Sequence, residues 1–425
     1  MLHLMIMIFC LTVSVPLFAQ EEPALLRRAS TGSYAIVERS DWSRYVDGKY
    51  SGLTHRTVHG FLNQNPQSNT EAFSYAGNFF VLEETLRDMR HSAQSVDAIV
   101  PVSFQIRPDG TLHLDTETGF PSLRGFPAFP AEAISSGTKW KAGADRAVDP
   151  LNSGKPVIVP FIAEYEYRGK EFYRGIPVHR IFARYASSYR GDFRIQGSHT
   201  VDILIQVSDG LPLLMKDSLD ETFFFADGST LRFRGFTLTF GQHAIPLNRE
   251  QVITTIRRTL FMPEPEVAPP VQKEPVKEEP PLVQTGQEPD ITIESASAIE
   301  IAAVPEGVKL LINDLQFIAD SDQLLASEEG RLDSIATVLR QVPERSFLVE
   351  GHTAAAPGSD GVQLSELRAK RMVEEMVSRG ISSNRFMYKG WGSAKPIAPH
   401  TTEAGRARNR RVEITILDLS ISTTD

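Results

Sequence analysis

The stretch GHTAAAPGSDGVQLSELRAKR (Gly351–Arg371) joins a loop to the start of a helix. Small and turn-forming residues fill its first half, and helix-forming residues fill its second half. In the continuation, Ala369, Met372 and Met376 recur at helical spacing. A loop that enters a helix N-terminus places backbone N–H groups where they can bind an anionic ligand. The stretch therefore predicts a helix with a ligand site beside its first turn.

The residues around this stretch alternate between strand patterns and helix patterns. A helix is predicted over Ser327–Val342, where apolar residues recur every three or four positions. Four short apolar runs predict strands: Val308–Ile312, Phe347–Gly351, Phe386–Gly390 and Val412–Leu417. Residues 301–425 are thus predicted to form an α+β domain of order βαβαββ, with one mixed sheet and its helices on a single face.

A segment dominated by proline and glutamate precedes this domain. Residues Pro263–Asp290 read PEPEVAPPVQKEPVKEEPPLVQTGQEPD, and nothing in this stretch could form a hydrophobic core. We predict a linker over residues 263–300, either an extended spacer or a plain disordered connector. Both interpretations separate two folded halves.

The half before the linker follows a period of two, with Asp-Gly turns between alternating strands, as at Asp209-Gly210. It predicts an antiparallel β-rich module with two subdomains, residues 20–130 and 131–262, and short helices at Phe79–Ala93 and Asn248–Arg258. A soluble sheet is favoured over a membrane barrel, because charged residues interrupt the outward-facing rows.

The N-terminus carries an apolar run that ends at Ala19 and is followed by acidic residues. Residues 1–19 therefore predict a secretory signal peptide, the run being short for a membrane span. Cys10, the one cysteine of the sequence, lies inside this segment after bulky residues, which argues against a lipid anchor. We expect an exported protein of the periplasm or outer membrane, without disulfides or a cysteine metal site.

Charge and motifs narrow the function classes. The formal net charge of −9 argues against nucleic acid as the main partner. No catalytic motif stands out, so we expect no enzymatic activity, no cofactor and no metal site. The ten histidines are scattered, and His179 and His199 are expected on exposed strand faces.

Several short motifs occur together and in a fixed order in the C-terminal part. They are Gly351-His352-Thr353, Leu364-Ser365-x-x-Arg368-Ala369, Gly390-x-Gly392 with Pro396, Gly405-Arg406, and Asn409-Arg410-Arg411-Val412-Glu413. In this order they resemble the OmpA-like C-terminal domain family, which includes peptidoglycan-associated lipoproteins and periplasmic parts of flagellar stator proteins. The resemblance covers roughly residues 305–418.

This resemblance implies a module that binds peptidoglycan by the zwitterionic end of diaminopimelate. In such members, an Asp after Gly-His-Thr meets the ligand's ammonium, an Arg in the following helix meets its carboxylate, and an Asn before that helix helps to hold it. Here Arg368 matches the Arg, but Ala354 follows Thr353 where the Asp is expected, and Gly361 takes the place of the Asn. The resemblance therefore implies a degenerate site, with binding weak or lost.

Two functions remain open. In the first, the β-rich half binds an envelope protein while the C-terminal domain is a non-binding platform. In the second, the domain is a working peptidoglycan tether in which Asp360 replaces the missing acid. Arg410 belongs to an arginine cluster that is expected to pair with acids and stabilise its loop, and it is also a candidate for the ligand pocket.

Overall fold

The computed structural model describes residues 22–65, 71–86, 94–151, 153–244, 247–261, 299–318, 321–354 and 361–418. The predicted signal peptide (1–19), residues 263–298 of the predicted linker and Asp360 lie outside these ranges.

The N-terminal module is a large antiparallel sheet. Its strands are β1 (Tyr34–Val46), β2 (Lys49–Gln64), β3 (Phe73–Leu86), β5 (Ala98–Ile106), β6 (Leu112–Leu114), β7 (Leu123–Arg124), β8 (Lys139–Val148), β9 (Val157–Tyr173), β10 (Ile176–Arg190), β11 (Arg194–Gln206), β12 (Pro212–Phe224) and β13 (Thr230–His243), while β4 (Gln94–Ser95) belongs to the second sheet. Within the described residues, the twelve strands run in the order β6-β5-β3-β2-β1-β13-β12-β11-β10-β9-β8-β7. Both predicted subdomains, 20–130 and 131–262, contribute to this one sheet, because β1 pairs with β13. Their division stays a prediction.

The C-terminal domain combines a mixed sheet with helices. Its elements are α1 (Arg249–Phe261), β14 (Ile299–Val304), β15 (Gly307–Asn313), a 3-10 turn at Ala326–Glu328, α2 (Glu329–Arg340), β16 (Phe347–Gly351), α3 (Gly361–Ser378), a 3-10 turn at Ser383–Arg385, β17 (Phe386–Gly390), α4 (Glu403–Asn409) and β18 (Arg411–Leu417). In the described residues the strand order is β14-β15-β18-β16-β17-β4, with β16 and β17 parallel. Compared with the predicted order βαβαββ, the domain also contains α1 and β14 before its first predicted strand, and the short α4 before its last strand.

The two faces of the C-terminal sheet have different partners. On one face, Phe347 and Val349 of β16 join α2 and α3 in the domain's own core. On the other face, Leu348, Met387 and Leu417 form a second cluster with residues of the β-rich module: Ala35, Phe61, Phe80, Leu82 and Val96. Because side chains alternate along a strand, one short β16 serves both cores.

Hydrogen bonds cross the same boundary. Strand β4, from the β-rich module, pairs with β17 and so covers the edge of the C-terminal sheet. The Lys389 ammonium donates to the carbonyl oxygens of Val96 (2.7 Å) and Asp97 (2.9 Å), and the Ser95 hydroxyl donates to the Glu366 carboxylate (2.5 Å). The two modules therefore pack directly against each other.

The position of α1 changes the interpretation of the linker. Ile256 of α1 is buried in the C-terminal core together with Ile299 of β14. The proline-rich segment therefore starts and ends on the C-terminal domain. This differs from the expectation that it separates two folded halves, because the helix before it already belongs to the second half.

Of the two short helices predicted in the first half, one is confirmed and one is wrong. Helix α1 corresponds to the predicted Asn248–Arg258. The predicted helix at Phe79–Ala93 is a strand as far as Leu86, and residues 87–93 lie outside the described ranges. Here Phe79 and Val81 face the module's own core, whereas Phe80 and Leu82 face the C-terminal domain. A strand buried on both faces loses its alternation and is easily mistaken for a helix.

Candidate functional site

The Gly-His-Thr motif lies where β16, α3 and β18 converge. A Cβ atom on Gly351 would lie 2.0 Å from the carbonyl oxygen of Ser365, so only glycine lets α3 pack this closely on the strand. The backbone N–H of His352 then donates to the carbonyl of Arg411 (3.0 Å), and that of Thr353 donates to the carbonyl of Gly392 (2.9 Å). These bonds place the end of β16 between the start of β18 and the loop that follows β17.

A cavity of about 200 Å³ opens at this junction. Its lining residues are Asp314, Leu315, Gln316, Phe317, His352, Arg368, Arg410 and Arg411. It brings together Arg368 and Arg410 of the predicted site. Thr353, Ala354 and Gly361 do not line it, and Asp360 lies outside the described residues. The assignment of these residues to a ligand site stays a prediction.

Arg368 projects from the second turn of α3. Its guanidinium lies 4.6 Å from the centre of the Phe317 ring, and its Nε donates to the carbonyl of Ser321 (3.1 Å). The neighbouring Ala369 is fully buried in the core. Stacking on an aromatic ring orients the planar guanidinium, which favours recognition of a carboxylate by two hydrogen bonds.

Arg410 lies at the outer edge of the cavity. Its Nη2 is 2.9 Å from the carboxylate of Glu403, which also binds Arg406. In the same cluster, Arg408 is 3.7 Å from Glu300. The prediction that these arginines pair with acids is confirmed.

Arg411 lines the cavity, although the sequence named it only as part of a motif and not as a candidate ligand residue. It is only 4% exposed, and two of its nitrogens are held: Nε donates to the Glu413 carboxylate (2.6 Å) and Nη2 to the carbonyl of Lys395 (3.1 Å). Its Nη1 is buried without a hydrogen-bond partner among the described residues. Strand alternation could have indicated a shared face for Arg411 and Glu413, but not the cavity.

His352 forms part of the cavity wall and is only 2% exposed. Neither ring nitrogen has a hydrogen-bond partner in the described part of the chain, and Nε2 lies 3.7 Å from the Glu413 carboxylate. Burial, aided by the charge of Arg411, lowers the pKa of His352 to about 4. The ring is therefore neutral at pH 7 and can interact with a ligand only as a neutral donor or acceptor.

Position 354, where the resemblance implies an Asp, offers no polar side chain to a ligand. Ala354 is partly buried and carries no polar group, while the hydroxyl of the preceding Thr353 is buried without a partner in the described residues. Asp314 is the acidic residue among those that line the cavity, and it is exposed. Three of the eight lining residues are thus arginines, against one acid.

The β-rich module holds a second cavity of about 100 Å³ between its sheet and the segment Pro121–Phe129. Most of its lining is apolar, including Ile36, Phe126 and Met215, and Glu38 contributes a carboxylate. Burial raises the pKa of Glu38, against the opposing charge of Arg56.

His179 and His199 were expected on exposed faces, and this prediction is wrong. Both are buried: the Tyr167 hydroxyl lies 2.9 Å from Nδ1 of His179, and Nδ1 of His199 lies 3.0 Å from the Asp217 carboxylate. A hydroxyl beside His179 and a carboxylate beside Nδ1 of His199 offset part of the cost of burying these two polar rings.

The described residues contain no cluster of three His, Cys, Asp or Glu side chains placed to hold a metal ion. In the same residues, no helix has the length and apolar character needed to cross a membrane.

Comparison with known proteins identifies the C-terminal domain. Residues 316–410 match the model of the OmpA family, and the C-terminal part of the chain is therefore an OmpA-like domain. This confirms the resemblance seen in the motifs.

Three curated relatives illustrate the match. The probable lipoprotein YiaD of Escherichia coli K12 is 34% identical over 108 residues, which are 25% of this chain and 49% of the relative. Outer membrane protein A of Bordetella avium is 37% identical over 116 residues, 27% of this chain and 59% of the relative. The peptidoglycan-binding protein ArfA of Mycobacterium tuberculosis H37Rv is 35% identical over 104 residues, 24% of this chain and 32% of the relative. The chain thus spans less than two thirds of each relative.

Proposed function

We propose that this protein is a non-enzymatic structural and binding protein of the bacterial cell envelope. The observation that carries the proposal is the arginine-lined cavity at the Gly-His-Thr motif of an OmpA-like domain, with Arg368 in its wall. The names of the relatives, an outer membrane protein and a peptidoglycan-binding protein among them, support an exported location in the periplasm or at the outer membrane.

The ligand proposed for this cavity is the carboxylate end of a peptidoglycan stem peptide. Arg368 supplies a rigid guanidinium, which suits a carboxylate. The ammonium of diaminopimelate finds no acid at position 354, where Ala354 stands. A hydrogen bond to a charged group contributes about 1.5–3 kcal/mol, so its loss weakens binding by about 10- to 150-fold. Binding to the wall is therefore weak.

The test compares two ligands that differ only in their amino groups: meso-diaminopimelate and pimelate, the same dicarboxylate without amines. Ala354→Asp is expected to tighten diaminopimelate binding by about 10- to 150-fold, with no gain for pimelate. Ala354→Asn is the matched control, because it has a similar shape without the charge. Calorimetric titration measures the affinities, and sedimentation with insoluble peptidoglycan extends the comparison to the natural polymer.

The alternative is a working tether in which Asp360 meets the ammonium. The retained Arg368 supports it, since its guanidinium lines the cavity in which the carboxylate is proposed to bind. Under this alternative the unmodified protein already prefers diaminopimelate to pimelate, Ala354→Asp adds little, and Asp360→Asn removes the preference. The direct packing of the two modules would then bring the β-rich half close to the wall.

We also propose that the β-rich module binds an envelope partner. The apolar cavity beneath Pro121–Phe129 supports this, because such a cavity can accept a small apolar group. Met215→Trp, which fills the cavity, is expected to abolish the association of this module with its partner while leaving peptidoglycan sedimentation unchanged. Crosslinking in cells, compared between the two forms, measures the association.

A further inference from the structure

Arg411 occupies an unusual position for a buried charged residue. It opens β18, is almost completely buried and lines the same cavity as Arg368. A buried charge is normally satisfied on all sides, because each unpaired donor in a water-poor site costs free energy.

Two of its three nitrogens are satisfied, and they fix the orientation of the side chain. Nε binds the Glu413 carboxylate and Nη2 binds the carbonyl of Lys395, at 2.6 and 3.1 Å. Glu413 is itself held by Lys309 at 2.5 Å. The guanidinium plane is therefore set before any ligand arrives, which reduces the entropy lost on binding.

The third nitrogen is the one without a partner. Among the described residues, Nη1 of Arg411 is buried and makes no hydrogen bond. The adjacent Arg410 differs, because it is partly exposed and its Nη2 already binds Glu403. Of the two neighbouring arginines, Arg411 thus has the fixed plane and the unused donor.

We infer that Arg411 is a binding residue of this site and donates, through Nη1, to the same ligand carboxylate that Arg368 binds. The inference rests on the proposed function, since it names a second residue for the ligand class proposed there. Arg368 on α3 and Arg411 on β18 both line the cavity, and a carboxylate has two oxygens with which to accept from both. Arg410 then contributes mainly to the loop.

The experiment titrates the full-length protein with pimelate and uses two chemically identical changes. Arg411→Lys keeps the charge but removes the planar fork, and is expected to weaken pimelate binding by about 10- to 150-fold. Arg408→Lys is the matched control, because Arg408 belongs to the same arginine cluster but does not line the cavity, and it is expected to change the affinity less than about threefold. Circular dichroism and the unfolding midpoint verify that both variants are folded.

A second measurement needs no variant and covers the case in which Arg411→Lys does not fold. In the unmodified protein, the side-chain N–H resonances of Arg411 are expected to shift during the pimelate titration, together with those of Arg368. Unmoved Arg411 resonances, or an Arg411→Lys affinity within threefold of the original, would overturn the inference.

The same data separate this inference from the function on which it rests. If Arg368→Ala abolishes binding while Arg411→Lys does not, the carboxylate site stands and only the role of Arg411 is refuted. If the unmodified protein binds neither pimelate nor diaminopimelate, the proposed function fails and the inference fails with it.

Discussion

Leu348→Ala tests whether the two modules are held together by a shared apolar cluster. Leu348 is 4% exposed and lies on the face of β16 that meets the β-rich module, in the cluster that contains Phe80. The substitution removes three buried carbon groups, which at about 0.8 kcal/mol each gives about 2.4 kcal/mol before any cavity is counted. With the cavity included, we expect a loss of about 3 kcal/mol in the free energy of unfolding.

A double-mutant cycle tests whether the free energy lost in Leu348→Ala comes from contacts with the β-rich module. Phe80→Ala is expected to cost about 3–5 kcal/mol alone, and the pair with Leu348→Ala should be non-additive by about 0.5–3 kcal/mol, because both side chains line one cluster. The control pairs Phe80→Ala with Val349→Ala, the next residue on the same strand, which is buried on the opposite face. That pair should be additive within about 0.5 kcal/mol. Urea unfolding of the full chain supplies the values. Additivity of Phe80 with Leu348 would refute the docked arrangement.

Three further predictions concern pH, a loop and the proline-rich segment. The pKa of His352 is about 4 in the folded chain and about 6.5 when unfolded, so the unfolded state takes up the proton first as the pH falls. The free energy of unfolding should therefore fall by about 3 kcal/mol as the pH is lowered from 6.5 to 4. In His352→Gln this dependence of the free energy on pH should be flatter, and an unchanged slope would contradict the assigned pKa. Asn409→Ala should lower the free energy of unfolding in urea by about 3 kcal/mol, because the buried amide oxygen accepts from the N–H groups of Ile397 (2.9 Å) and Ala398 (3.0 Å). A loss below about 0.5 kcal/mol would argue against this role. Replacing residues 263–298 with a Gly/Ser segment of equal length should leave the unfolding midpoint unchanged, whereas a lowered midpoint would show that the segment takes part in packing.

The elements of the C-terminal domain were predictable because its patterns are local. The apolar residues of α3 recur at helical spacing, and β16 and β18 are short apolar runs beside turn residues. The hairpins of the β-rich module were predictable from the Asp-Gly turns between their strands. By contrast, Phe79–Leu86 was misassigned, since a strand packed on both faces has no local alternation to detect.

The candidate site was only partly predictable, for the same reason. Arg368 and Arg410 follow from motifs, and the structure places both in one cavity. Arg411 did not stand out, because its importance depends on Glu413 and Lys395 holding two of its nitrogens while the third remains without a partner among the described residues. The positions of Ala354 and Gly361 outside the lining were equally invisible in the sequence.

By itself, the sequence determined the two kinds of module, the OmpA-like motifs and the missing acid at Ala354, since each depends on residue identity or on short-range periodicity. Only the tertiary structure decided that the modules pack against each other, that α1 belongs to the C-terminal core and that Arg411 and Arg368 line one cavity. These features join segments that are far apart along the chain. Apolar burial and hydrogen bonds between distant surfaces stabilise these contacts, and a local sequence pattern does not show which two surfaces will pack together.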